Sequence, residues 1–261
     1  VRSPKIFVKQ STTKLRIDRL LLERGLASSR ERAQALVLAG KVLVNGQKIE
    51  KAGAAVEVDS EIRILGEDLK YVSRGGVKLE RALDDWKIDV RGRICVDVGA
   101  STGGFTDCLL QHGAARVIAV DTGQGQIAFR LRQDPRVRLL EKTNARYLTR
   151  EQLGEIADFI AVDVSFISAT QVLPAVVASA FPPAAIERSG RELVVLVKPQ
   201  FEAGREHVGK GGIVRDLQAQ EKALEKVKAA VQELQPKIIE ATDSPILGAE
   251  GNREFLLYAK F

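Results

Sequence analysis

The 261-residue chain has no methionine, one tryptophan, two histidines and two cysteines, and only 5% of it is aromatic. Two cysteines, Cys95 and Cys108, supply neither the staples of a small secreted scaffold nor a metal-ligand quartet, so no metal is expected and a reducing, cytoplasmic setting is. Long apolar runs are also missing. The longest, Val172 to Ile186, is broken by Pro174, Pro182 and Pro183 and is too short to span a bilayer. Val1 to Lys14 lacks the apolar stretch of a secretory signal, so no stable membrane association is expected. With 45% hydrophobic and 28% charged residues, disorder and collagen-like repeats are excluded, and the length suits one substantial core plus a smaller companion domain. Acidic residues are scarce at one end. Residues 1–70 carry 14 Lys and Arg against 9 Asp and Glu, which accounts for most of the formal charge of +6. That asymmetry fits a polyanion-binding face as well as an ordinary solvated one.

Residues 14–39 hold two short helical patterns separated by Gly25. Leu15, Leu22 and Leu26 recur at helical spacing in the first, with Arg16, Arg19 and Arg24 free to project outward. The second opens on Ser28-Ser29-Arg30-Glu31, a Ser-x-x-Glu capping box, before Ala33, Leu36 and Val37. Val42 to Ile49 then reads as a hairpin turning at Asn45-Gly46. Arg16-x-Asp18, Gly25-x-x-Ser28-x-Arg30 and Gly40-Lys41-Val42-x-Val44-Asn45-Gly46 together resemble the S4 RNA-binding domain over residues 14–65. The resemblance implies a small α+β unit that grips structured RNA through Arg16, Arg19, Arg30, Arg32 and Lys41. Residues 1–48, with 11 basic and 3 acidic side chains, have the charge for phosphate contacts.

After a linker across residues 66–75, strands and helices alternate through the second domain, 76–261. Strands are predicted at 94–98, 117–120, 139–141, 159–164, 193–197, 237–241 and 254–259, with helices at 105–111, 171–180 and 216–234. This is the pattern of a doubly wound, mostly parallel sheet. The first strand runs into Gly99-Ala100-Ser101-Thr102-Gly103-Gly104-Phe105, a glycine-rich turn opening a helix, which lets the backbone approach a nucleoside closely. The spacing Asp97-x-Gly99-x-x-x-Gly103-Gly104 departs from the dinucleotide fingerprint and resembles the loop of S-adenosylmethionine (SAM) methyltransferases. That implies cofactor contacts from Asp97, Gly99, Ala100, Ser101, Gly103, Gly104 and Phe105, and from Asp163 across the cleft. Asp121, at the end of the next strand, is placed for ribose hydroxyls, and Asn144 for the adenine edge.

The acceptor is expected to be an oxygen. Methyltransferases acting on exocyclic amines commonly carry Asn/Asp-Pro-Pro-aromatic after the fourth strand. Here that position holds Asp163-Val164-Ser165-Phe166, and Lys198-Pro199-Gln200-Phe201 follows the fifth. A ribose 2′-hydroxyl is a poor nucleophile, and an adjacent amine can orient it or take its proton if burial or nearby charge favours the neutral form. Lys78, Asp163, Lys198 and Glu254 form two acids and two bases near strand ends or loops on the cofactor side, Glu250 being the alternative to Glu254. In that order they are similar to the Lys-Asp-Lys-Glu tetrad of FtsJ-type ribose 2′-O-methyltransferases. Joined to an S4 domain, residues 14–261 resemble the TlyA family. The resemblance implies a Rossmann-like α/β sheet with an antiparallel carboxyl-terminal strand. It also implies SAM as cofactor, and ribosomal RNA or ribosomal subunits as partner, with methylation at cytidine. Lys198 is then the base or hydroxyl-orienting group held by Asp163, with Lys78 and Glu254 positioning the ribose. Two other readings stay open: a membrane-lytic haemolysin, the family's inherited label, and a catalytically silent ribosome assembly factor. Residues 202–216 read equally as a mobile surface loop or a basic lid. His112 and His207 have no evident partners, and Trp86 reads as a packing residue.

Overall fold

The computed structural model describes residues 13–27, 29–65, 70–182, 190–248 and 250–261. Ser28 of the expected capping box, most of Val1 to Lys14, the first part of the expected linker and the end of the Val172 to Ile186 run lie outside them. The chain divides into two compact units, residues 1–68 and 69–261.

In the smaller unit β1 (Lys14–Arg16) pairs antiparallel with β4 (Ala55–Glu57). β2 (Val42–Val44) lies between β3 (Gln47–Lys48) and β5 (Ile62–Ile64). Two helices, α1 (Ile17–Glu23) and α2 (Arg30–Leu38), supply the core: Ile17, Leu20 and Leu21 pack with Ala33, Leu36 and Val37. The expected stripe of the first helix is therefore displaced. Leu15 belongs to β1, which is held by a partner about forty residues away, and Leu22 is 42% exposed. Asn45 and Gly46 both take positive φ, 49° and 78°, as a two-residue hairpin turn of the twisted type requires. α2 is capped by Ser29, whose side chain accepts from the Arg32 N–H, one residue after the expected cap.

The larger unit is a seven-stranded sheet made of β6 (Ile94–Val98), β7 (Arg116–Val120), β8 (Val137–Leu140), β9 (Phe159–Val162), β10 (Glu192–Val197), β11 (Ile238–Asp243) and β12 (Phe255–Lys260). Their order is β11-β12-β10-β9-β6-β7-β8. All neighbours from β10 to β8 are parallel, and β12 runs antiparallel to both β10 and β11. The central strands are buried along nearly their whole length because both faces are covered, so they read as mostly apolar runs, interrupted by Asp97 in β6 and led by Glu192 in β10. One face packs Val96, Ile160 and Val195 with Leu173 and Val227, and the other packs Cys95, Phe159 and Val194 with Leu79 and Leu109. The expected helix at 171–180 begins as a 3-10 turn, Ala169–Gln171, and becomes helical at Leu173–Ala180, with Pro174 in the first turn where its missing N–H costs nothing. Tyr71, inside the expected linker, is buried with Leu79, Phe105 and Leu109, and α3 (Gly75–Asp85) starts four residues later.

Candidate active site

The turn after β6 leads into α4 (Gly104–Gln111). Gly99 has φ 88°, and a Cβ there would lie 2.3 Å from the Asp163 carbonyl, so only glycine lets the ends of β6 and β9 approach and brings Asp163 beside the loop. At Gly104 a Cβ would meet the Ser73 hydroxyl at 2.2 Å, which sets the start of α3 against the start of α4. A cavity of about 370 Å³ follows, walled by Gly99, Ser101, Asp121, Asn144, Asp163 and Phe166 among others. Asp121 accepts from the Ser101 N–H at 2.8 Å and the Gly123 N–H at 2.6 Å, which fixes its carboxylate at the wall. Asn144 accepts from the Arg146 N–H at 3.0 Å, so its amide oxygen is a cap and its NH₂ is the group left for a ligand.

Two expected cofactor residues line neither this cavity nor the one beside it. Asp97 is fully buried and ties β6 to α4 by accepting from the Thr106 hydroxyl at 2.6 Å; its other oxygen has no hydrogen-bond partner among the described residues. Burial pushes its carboxyl up to about 7. Gly103, with φ 95°, forms the bend into α4 and also stands outside both cavity walls.

A second cavity, of about 530 Å³, shares Gly99, Ser101, Asp163 and Phe166 with the first, and Ala100, Gly104 and Phe105 belong to its wall. All four tetrad residues line it. Lys198, which follows β10, places Nζ 2.6 Å from Asp163 Oδ1 and donates to Ser165 Oγ at 2.8 Å. The contact with Asp163 is one of charge without hydrogen-bond alignment, the aligned N–H going to Ser165. Lys78 and Glu254 form a second ion pair, with the residues 8% and 3% exposed. Lys78 sits on α3, not on a strand end or loop as the sequence suggests. Glu254 just precedes β12, and its carboxylate fills the space beside Gly248. Glu250 lines the same cavity but is exposed, and the ion pair with Lys78 is made by Glu254.

Residues 71–261 match the FtsJ-like methyltransferase family model, and residues 15–62 match the S4 domain model. The 16S/23S rRNA (cytidine-2′-O)-methyltransferase TlyA of Mycobacterium tuberculosis is 44% identical over 94% of this chain and 89% of its own length. The chain belongs to the TlyA family. Hemolysin A of Brachyspira hyodysenteriae is 42% identical over 94% of this chain and 99% of its own. A solved structure bearing the name hemolysin, from Streptococcus thermophilus, superposes with a TM-score of 0.68 at 44% identity, over 96% of this chain and 89% of that one. Among the described residues no helix is long and apolar enough to cross a membrane.

In this TlyA-family chain the cavity also exposes groups that sequence patterns conceal. Phe166 is 92% exposed at the rim shared by both cavities, has φ 65°, and lies 5.4 Å from the Phe201 ring. A bulky side chain in the left-handed region is strained, and such strain concentrates at functional sites. The 202–216 segment contributes Val208, Gly211 and Gly212 to the wall. It is anchored from behind by Asn252, 1% exposed, which donates to the Gly212 carbonyl and accepts from the Val214 N–H. His112 bonds the Cys108 carbonyl at 2.8 Å, and His207 lies 3.8 Å from Glu206. Trp86 stacks on Tyr258 at 5.1 Å, a packing role.

In the smaller unit the arginines are less free than their spacing implies. Asp18, fully buried, accepts from Arg16 at 2.8 and 3.0 Å, from Arg30 at 3.2 Å and from Gln34 at 3.0 Å. The Arg16 hydrogen bonds hold its carboxyl well below the usual carboxylate range, although burial alone would raise it. Arg16 and Arg30 are thus brought together on one hub, each about half exposed. Arg19 pairs with Glu23 at 2.7 Å. Arg24 turns back to the Ser60 and Val58 carbonyls instead of projecting outward. Arg32 lies on α2, where its backbone N–H donates to Ser29, and Lys41 lies just before β2.

Proposed function

We propose that this protein transfers the methyl group of SAM to a cytidine 2′-hydroxyl of ribosomal RNA, with the smaller unit holding the RNA. The observation that carries the reading is the arrival of Lys78, Asp163, Lys198 and Glu254 from four separate elements in one cavity wall, next to the glycine-walled cavity after β6. The residues of that neighbouring cavity suit SAM. The backbone of Gly99 leaves room for a nucleoside, the carboxylate of Asp121 suits ribose hydroxyls, and the NH₂ of Asn144 suits a ring nitrogen of adenine. When bound, SAM supplies a methyl group on a sulfonium, open to in-line attack.

The chain's residues do the rest. Lys198 faces the nucleophile and takes its proton. Asp163 and Ser165 fix the direction of that amine, as the carboxylate fixes the imidazole in a Ser-His-Asp triad. Lys78 and Glu254 position the ribose through their buried pair, and holding reactants in line supplies much of the rate. Phe166 offers an exposed aromatic face where an unstacked base can rest, which is the usual way single-stranded RNA is held.

The test is incubation of labelled SAM with unmodified ribosomal subunits, followed by mapping of ribose methylation. Label at a cytidine 2′-oxygen, lost in Lys198→Ala, is expected. Transfer to a base nitrogen, or SAM binding without any transfer, rejects the proposal.

A further inference from the structure

Glu202 lines neither cavity, yet its side chain is only 2% exposed, at the end of the short helix Pro199–Glu202 that follows Lys198. A buried carboxylate is costly unless its oxygens are bonded. Glu202 directs both to one segment: Oε1 accepts from the Ala169 N–H at 2.6 Å, and Oε2 accepts from the Ser168 hydroxyl. Lys226, on helix Leu217–Gln232, closes the site by donating to the Glu202 carbonyl at 2.9 Å and lying 3.4 Å from Oε2.

Ser168 and Ala169 end the loop that begins at Asp163. Its near end is held by Lys198, through Asp163 and Ser165. Residues 198–202 therefore grip one loop at both ends, Lys198 at the reacting end and Glu202 at the far end. Between them sits Phe166 in a conformation that persists only where its surroundings fix it.

We infer that Glu202 is a positioning residue: its carboxylate fixes the β9 loop relative to the Lys198 amine and so holds Asp163, Ser165 and the Phe166 ring in working position. The inference rests on the methyl transfer proposed above and adds a residue to it. A displacement of about 1 Å at a reacting group costs on the order of 100-fold in rate. Glu202→Ala accordingly lowers the single-turnover rate by about 10- to 100-fold at saturating RNA and SAM. Glu202→Gln recovers most of that loss, because its amide oxygen accepts from Ala169 and the Ser168 hydroxyl can accept as well as donate. Ser168→Ala breaks the same contact from the loop side and has a smaller effect, since the Ala169 bond remains.

A role in global stability alone is separated by a double-mutant cycle with Ser165→Ala. Two substitutions acting through one loop are less than additive, whereas independent effects multiply. Acylation of Lys198, followed by mass spectrometry on the folded protein, gives a readout independent of activity. Labelling should rise several-fold in Glu202→Ala and stay near wild type in Glu202→Gln. If wild type methylates no RNA, the proposed function fails while the labelling still judges Glu202. Wild-type rate and labelling in Glu202→Ala, or an additive cycle, overturns the inference. Should Glu202→Ala not fold, Glu202→Gln and Ser168→Ala carry the same comparison.

Discussion

The buried pair between Lys78 and Glu254 allows structure and chemistry to be separated in one set of variants. It joins α3 to the start of β12, and little of either residue reaches water. Removing one partner strands the other charge in the interior, at a cost of about 3–5 kcal/mol, whereas replacing both by apolar groups of similar size is often nearly neutral. Lys78→Met and Glu254→Leu are each expected to destabilise the larger unit by that amount. In a unit of this size that corresponds to a fall in melting temperature of roughly 6–20 °C. The double variant should return to within about 1 kcal/mol of wild type and still transfer no methyl, because the ribose has lost both positioning groups. Trp86, the sole tryptophan, caps α3 and stacks on Tyr258 of β12, so intrinsic fluorescence during urea unfolding follows the affected junction. Single variants as stable as wild type would mean that the pair is solvated and its burial misread. A double variant that methylates RNA would remove both residues from the site.

Four further outcomes follow from the geometry. Lys198→Arg keeps the charge but cannot accept a proton at neutral pH, so it is expected to be as inactive as Lys198→Ala with SAM affinity retained in both; appreciable transfer by the arginine variant would make Lys198 an orienting group only. Asp97, raised from 3.8 to about 7 in the fold, binds its proton more tightly folded than unfolded, so its contribution is present below about pH 4 and is lost as pH rises to about 7. The loss is on the order of 4 kcal/mol, and a urea-midpoint profile for Asp97→Asn that keeps the wild-type slope between pH 4 and 7 would contradict it. Replacing Arg16, Arg19 and Arg30 together by glutamine should make the salt dependence of RNA affinity shallower by about 2 in log–log slope; an unchanged slope places them outside the interface. Phe166→Ala is expected to weaken productive RNA binding by about 1–3 kcal/mol while leaving SAM affinity within a few-fold, checked by titration of each ligand; equal loss for both would make Phe166 a cofactor wall instead.

The large sheet was legible because buried parallel strands are apolar on both faces, so Ile94 to Val98 and Leu193 to Val197 stand out from the charged helices around them. The glycine turn was legible too, and Lys78, Asp163, Lys198 and Glu254, which the sequence groups by residue type, line one cavity. Reading failed where a partner is distant in sequence. β1 is a three-residue strand made by pairing with β4, a distant partner that the helical spacing of Leu15 does not reveal. The arginines of the smaller unit looked free because nothing in their spacing tells that Asp18 is buried and gathers two of them. The sequence puts Lys78 near a strand end or loop, yet Gly75 and Gly76 open α3 at a crowded junction where Gly76 has no room for a side chain beside Tyr71. The left-handed backbone of Phe166 has no sequence signature, and the partners of Glu202 lie 33 and 34 residues earlier, beyond the reach of a local pattern.

The position of β12 bears on how such a protein comes into being. It follows every other strand along the chain yet is inserted between β10 and β11, and Glu254 enters the cavity at its head. During synthesis the parallel strands can assemble early, but the pocket wall stays open until translation has passed residue 260. A chain cut short of β12 therefore lacks both the strand that joins β11 to the sheet and one side of that cavity.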